Sequence, residues 1–199
     1  MKNVLVIKSS LNSESGNSSK LAKDFVAALE SKHQISVTNR NLSDMNLPHL
    51  SSEEMQAWMT PDEDRTSEQK SLAAISQSIV DEVLAADEIV LAVPMYNFGI
   101  PSVLKAWIDR LARAGITFTY TENGPQGLLS NKQVTVLAAR GGIYQGTQLD
   151  TQTQYIKNFF SFLGLDNTQF VYAEGLAMGD EAATSAFKSA NEKIMELIA

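Results

Sequence analysis

The sequence predicts an α/β protein built on a doubly wound, five-stranded parallel sheet. Short β-rich runs at residues 4–7, 35–37, 89–93, 134–138 and 170–172 alternate with stretches of helical periodicity, the pattern of successive βαβ units. The run Ile89-Val90-Leu91-Ala92-Val93 is apolar at every position, so both faces of that strand must be covered by helices. The 199 residues, 44% hydrophobic and 20% charged, suffice for one domain with a full core. No repeat, linker or low-complexity tract divides them, so residues 1–199 are expected to form a single domain. The expected strand order is 2-1-3-4-5, with right-handed crossovers and the chain reversing direction across the sheet between strands 1 and 3.

The first run lies between Lys2 and Lys8. It is too short for the core of a signal peptide and reads as a strand leading from edge to core. A polar loop follows, and then a helix with Leu21, Phe25 and Leu29 on one face. After the second strand, residues 43–65 are rich in Met, Pro and charge, with one short helical pattern at 53–59. Leu72, Ile75, Ile79 and Val83 make the next stripe and lead into strand 3, which stops at Pro94. Val103, Trp107, Ile108 and Leu111 mark the helix after it. Residues 116–129 alternate through Ile116, Phe118 and Tyr120 into Glu122-Asn123-Gly124-Pro125, predicting a hairpin or a lid. Ile156, Phe159, Phe160 and Leu163 define the helix after strand 4. Phe187, Ile194 and Leu197 define the last one.

Composition excludes several functions. No run of ~18 apolar residues is present, so no membrane span is expected. The absence of Cys rules out disulfides, thiolate metal sites and a cysteine nucleophile, and a cytoplasmic enzyme is the default. A net charge of −7 disfavours nucleic acid as a partner. His33 and His49 are the only histidines; both read as surface residues, and no metal site is expected. The carboxylate pairs Asp81-Glu82 and Asp87-Glu88 fit a helix face and a strand entry better than glycosidase chemistry. No G-x-S-x-G elbow supports a serine hydrolase.

Three loops follow strands 1, 3 and 4, where ligands bind in open parallel sheets. The first, from Ser9-Ser10 through Gly16-Asn17-Ser18-Ser19, brings small hydroxyl residues to a helix start. Free N–H groups there attract anions, although a plain Ser or Asn cap would look the same. The second, Met95-Tyr96-Asn97-Phe98-Gly99-Ile100-Pro101, suits a flat, partly polar ring; its aromatics could equally be packing residues. In the third, Ala139-Arg140-Gly141-Gly142, paired glycines allow close main-chain approach to a ligand. Arg140 reads as a cofactor contact or a surface salt bridge, and Gly-Gly as a ligand loop or a plain turn.

Taken together, the strand-end Lys8-Ser9-Ser10, the PMYNF loop (94–98) with the LKxWxD helix after it, the ARAGxTFxYTENGP stretch (112–125) and ARGG (139–142) resemble the FMN-dependent NADH-azoreductases, also described as FMN-dependent NADH:quinone oxidoreductases. The similarity runs from Val4 to about Gly175. It implies a flavodoxin-like fold and a homodimer with FMN at each end of the interface. It implies Ser10, Gly16, Asn17 and Ser18 around the phosphate, and Met95, Tyr96, Asn97 and Phe98 along the isoalloxazine ring. Ala139, Arg140, Gly141 and Gly142 would lie at its pyrimidine side. Two positions depart from the family pattern: Gly16 stands where Ser is frequent, and Ala139 where Ser often precedes Arg-Gly-Gly. Backbone donors survive both changes. The expected activity is two-electron transfer from NADH, through flavin N5, to quinones and azo compounds in a ping-pong cycle. Tyr120 and Phe162 are the candidate acceptor-site walls, and no side chain is assigned a catalytic role. The alternative is a flavodoxin-type electron carrier.

Overall fold

The computed structural model describes residues 1–199. Strands β1 (Lys2–Lys8), β2 (Ile35–Asn41), β3 (Glu88–Pro94), β6 (Gln133–Ala139) and β7 (Thr168–Ala173) form one sheet in the order β2-β1-β3-β6-β7. Every pairing in it is parallel, so the 2-1-3-4-5 order expected from the sequence is borne out. β1 is an interior strand, not an edge, because the chain turns back across it to place β3 on its other side.

Alternation along the strands divides the core in two. Leu5, Ile7, Ile89, Leu91, Val134 and Val136 pack under helices α3 (Ser67–Ala85), α4 (Ser102–Leu111) and α5 (Thr151–Phe162). Val4, Val6, Val90, Ala92, Leu137 and Val171 face α1 (Asn17–Lys32) and α6 (Asp180–Ile198) on the other side. All seven residues of β3 are buried, as a strand apolar on both faces requires. No helix is long and apolar enough to cross a membrane. His33 and His49 are both exposed.

Both long insertions acquire definite structure. The short helix α2 (Ser52–Met59) opens on a Ser51 side-chain cap and is anchored by a buried ion pair. Arg110 Nε and Nη2 donate to the two carboxylate oxygens of Glu54 at 2.8 and 2.6 Å. The predicted hairpin is present as antiparallel β4 (Phe118–Thr121) and β5 (Gly124–Gly127).

A lid over the loops of its own chain is not what the hairpin forms. α4 carries the chain from the carboxyl end of β3 to the opposite end of the sheet. There the Leu129 N–H donates to Leu163 O at 2.9 Å, and a Cβ on Gly127 would fall 2.0 Å from the Gly164 nitrogen. The hairpin is therefore seated, backbone against backbone, on the far end of α5.

Candidate functional site

The loop after β1 leaves donors free. α1 has Gly16 as its N-cap with no side-chain cap, and its first bond to that cap is Lys20 N–H to Gly16 O at 3.0 Å. The N–H groups of Asn17, Ser18 and Ser19 therefore have no acceptor within the helix. Ser18 is fully buried, and its hydroxyl has no partner. Leaving such a group unsatisfied is unfavourable by about 1–3 kcal/mol; a phosphate oxygen would relieve it. A Cβ on Gly16 would lie 2.2 Å from Ser10 Oγ, so glycine lets the helix start sit directly against the strand-end serine. Lys8, the nearby cation, is already paired with both oxygens of Glu14 at 2.7 and 2.9 Å. The cradle is thus made of neutral N–H and hydroxyl donors.

The loop after β3 is a tight two-residue turn. Tyr96 and Gly99 exchange N–H···O bonds of 3.1 and 2.9 Å, with Asn97 and Phe98 both at positive φ, 48° and 65°. This is the pattern of a type I′ turn, which favours Asn at its first central place and Gly at its second. Phe98 occupies the glycine place and is 46% exposed, so an aromatic ring is held out at a backbone position that disfavours it. α5 supplies the restraint. Gln152 Nε2 donates to Pro94 O and Gly99 O at 3.0 and 3.1 Å, and the Thr151 hydroxyl donates to Phe98 O at 2.5 Å.

The loop after β6 hangs on Arg140. Its side chain is fully buried and turned away from the loop. Nη2 donates to Asp150 and to the Thr153 hydroxyl (2.8 and 2.9 Å), Nη1 to Glu174 (3.0 Å) and Nε to Gln152 Oε1 (3.3 Å). The guanidinium carbon lies 4.9 Å from the centre of the Tyr172 ring. The surface salt bridge considered from sequence is thus a buried network. Burial raises the Asp150 carboxyl, but Arg140 and the Thr153 N–H and hydroxyl outweigh it and hold it below its ordinary range. Glu174 also accepts from the Tyr144 and Gln145 N–H groups, both at 3.0 Å, fixing the path beyond the glycines. The carbonyls of Gly141 and Gly142 accept from Ala177 and Gly175 N–H, while their own N–H groups find no acceptor in the chain.

These loops enclose an open pocket of about 200 Å³. Of the residues expected from sequence, Ser10, Asn17, Met95, Tyr96, Ala139, Arg140 and Gly141 line it. Gly16, Ser18, Asn97, Phe98 and Gly142 stand just behind or beside them. Asn12, Pro94, Leu176 and Ala177 also line it and were not among the expected site residues; the last two belong to the loop after β7, where no motif marked them. Tyr120 and Phe162 lie elsewhere. They cluster around Phe118 at ring distances of 5.5 and 4.4 Å, at the hairpin end of the sheet. α5 begins at the pocket and ends at Phe162, which at 1.5 Å per residue is roughly 16 Å away. Larger grooves lie along β2, at the amino ends of the strands and on α6, none of them across the carboxyl ends where these loops meet.

A parallel 2-1-3-4-5 sheet with a neutral anion cradle after strand 1 and an aromatic turn after strand 3 defines a flavodoxin-like mononucleotide-binding protein. A family described as having the flavodoxin-like fold matches residues 2–198. The chain is 59% identical to the FMN-dependent NADH:quinone oxidoreductase of Alteromonas mediterranea, over 99% of this chain and 98% of that one. It is 55% identical to the protein of the same description from Alcanivorax borkumensis, over 97% and 98%. Among solved structures, an FMN-dependent NADH-azoreductase from Bacillus anthracis in complex with FMN superposes with a TM-score of 0.86 at 28% identity, over the whole of both chains. Another azoreductase, from the Sterne strain of that organism, reaches 0.91 at 29% identity, over 100% of this chain and 99% of that one. The chain belongs to the family of FMN-dependent NADH:quinone oxidoreductases.

Proposed function

We infer that this protein is an FMN-dependent oxidoreductase that takes two electrons from NADH and delivers them to quinones, with azo compounds as further acceptors. Relatives identical at 59% and 55% carry the quinone oxidoreductase description, and the two solved structures above are azoreductases; the electron-carrier alternative has no comparable support. When bound, FMN supplies the redox chemistry, and the chain supplies placement and electrostatics. The α1 N-terminus and the Ser10 and Ser18 hydroxyls would hold the phosphate. Met95, Tyr96, Asn97 and Phe98 would flank the ring. Gly141 and Gly142 would present their N–H groups to its polar pyrimidine edge, where negative charge gathers on reduction. No His, Asp or Glu of this chain lines the pocket, and its open mouth leaves solvent as a source of protons.

The active unit in this reading is a homodimer. The pocket of one chain is smaller than the ~300–1,000 Å³ usual for ligand sites and open, with exposed apolar Leu11, Phe98, Ile143 and Met178 around it. A second copy would cover that rim and could present Tyr120 and Phe162, which cannot reach the pocket of their own chain. A cytoplasmic location suits an NADH donor and a chain without Cys.

One observation carries the cofactor reading. Ser18 Oγ and the backbone donors after β1 and β6 are unsatisfied at the single edge of the sheet where the fold puts a ligand. The purified protein should be yellow, bleach with NADH, oxidise NADH in the presence of a quinone, and elute at the mass of two chains. A colourless protein that neither binds added FMN nor turns over NADH would overturn the cofactor assignment; a monomer in light scattering would overturn the dimer alone.

A further inference from the structure

Outside the pocket, at the end of β2, a ring of side-chain hydrogen bonds grips the phosphate loop. Asn41 Nδ2 donates to Ser13 Oγ at 2.8 Å and to the Asp44 carboxylate at 2.7 Å. Ser43 Oγ donates to Asn41 Oδ1 at 2.9 Å, and the Ser13 and Ser43 hydroxyls are 3.1 Å apart. Ser13 needs this grip. Its φ is 46°, a left-handed conformation that serine adopts only when its surroundings impose it.

Ser13 is also the pivot of the cradle. Its carbonyl accepts the Gly16 N–H at 3.2 Å and the hydroxyl of buried Ser19 at 2.7 Å, while its N–H returns to Ser10 O at 3.1 Å. Ser13 therefore ties the α1 N-terminus directly to Ser10. Ser13 itself is held by a side chain on a strand that does not touch the pocket.

We propose that Asn41 is a positioning residue for the phosphate of the cofactor, acting through Ser13 to hold the N–H groups of Asn17, Ser18 and Ser19 in register. The proposal rests on the FMN reading above. It requires that loss of Asn41 weaken recognition of the phosphate while leaving recognition of the ring unchanged. Riboflavin, which has the same ring and no phosphate, separates the two.

The experiment titrates the full-length, flavin-free protein with FMN and with riboflavin, following flavin fluorescence. Asn41→Ala should lower FMN affinity about tenfold, the equivalent of one well-placed hydrogen bond, with riboflavin affinity unchanged. The double exchange Asn41→Asp with Asp44→Asn keeps an amide–carboxylate pair and a bond to Ser13, with the direction of that bond reversed: the Ser13 hydroxyl, which accepts from the Asn41 amide, would donate to the new carboxylate. This exchange should restore most of the FMN preference. Ser43→Ala breaks the same ring at a milder point, should lower FMN affinity several-fold, and stands in if Asn41→Ala does not fold. Equal losses for both flavins, or no loss for either, would overturn the role of Asn41. A wild-type protein that binds neither flavin, or binds them equally, would instead overturn the cofactor reading on which it rests.

Discussion

The phosphate side and the ring side of this pocket are held by opposite means. The loop after β1 is gripped mostly by hydroxyl and amide bonds, partly open to water, its one ion pair reaching the exposed Glu14, and one of its hydroxyls is left unsatisfied. The loops after β3 and β6 converge on a buried cation with two carboxylates and a buried amide, reaching across as many as 58 residues of sequence. Neutral surface bonds are each worth about 1 kcal/mol, whereas breaking a buried ion pair from one side is severely destabilising. The ring side is therefore integral to the fold, and the phosphate side is a fitting that the fold can lose.

The largest expected effect tests that asymmetry. Arg140→Met should strand Asp150 and Glu174 in a buried setting and destabilise the protein by about 3–5 kcal/mol, read as a lower urea midpoint. Arg140→Lys should recover little, because an ammonium cannot span Asp150, Glu174 and Gln152 as the planar fork does. If Arg140→Met unfolds at the wild-type urea concentration, the ring side is not built into the fold and the contrast between the regions collapses.

Ser18→Ala asks the converse question of the other region. Removing a buried hydroxyl with no partner should leave the flavin-free protein as stable as before, or up to about 1 kcal/mol more stable. FMN affinity should fall about tenfold, one hydrogen bond to an ionised phosphate, while riboflavin affinity stays put. Opposite signs for stability and binding are the mark of a residue kept for its ligand. A variant that loses stability without losing FMN would assign Ser18 to packing instead.

The same asymmetry decided what could be read from sequence. Strand order, the hairpin and the three loops follow from local periodicity and turn chemistry, which need no knowledge of distant partners. The phosphate loop was legible for that reason: its donors come from a helix start twelve residues or fewer after the strand. The ring side was only half legible. The turn at Asn97 was visible, but its restraint by Gln152 was not, because an amide in an amphipathic helix looks like any surface Gln. Arg140 did carry a signal. Val134 and Val136 face the α5 side of the sheet, and period-two alternation carries residue 140 to that same buried face. An arginine at an inward position has to find carboxylates there. The hairpin's seat was hidden as well, since the pattern of residues 116–129 says how they fold and not which end of the sheet they join.

The smallest expected effect lies within the ring side and concerns acid. Asp150 has its pKa depressed in the folded protein, so the unfolded chain binds its proton more readily. Its contribution to stability is then complete above the unfolded value of about 3.9 and is lost as the pH falls through the lower folded value. Asp150→Asn has no proton to bind there. Its urea midpoint should be lower than wild type at pH 7, because Arg140 loses one of its two counter-charges, and the gap should narrow as both proteins are taken below about pH 4. The effect stays well short of removing Arg140, since Glu174 and Thr153 still hold the guanidinium. A gap that keeps its size from pH 7 to pH 3 would mean that Asp150 acts through its cap on the Thr153 N–H, which asparagine also makes imperfectly, and not through its charge. The ring side would then be held by Glu174 alone, and the contrast with the phosphate side would narrow by one ion pair.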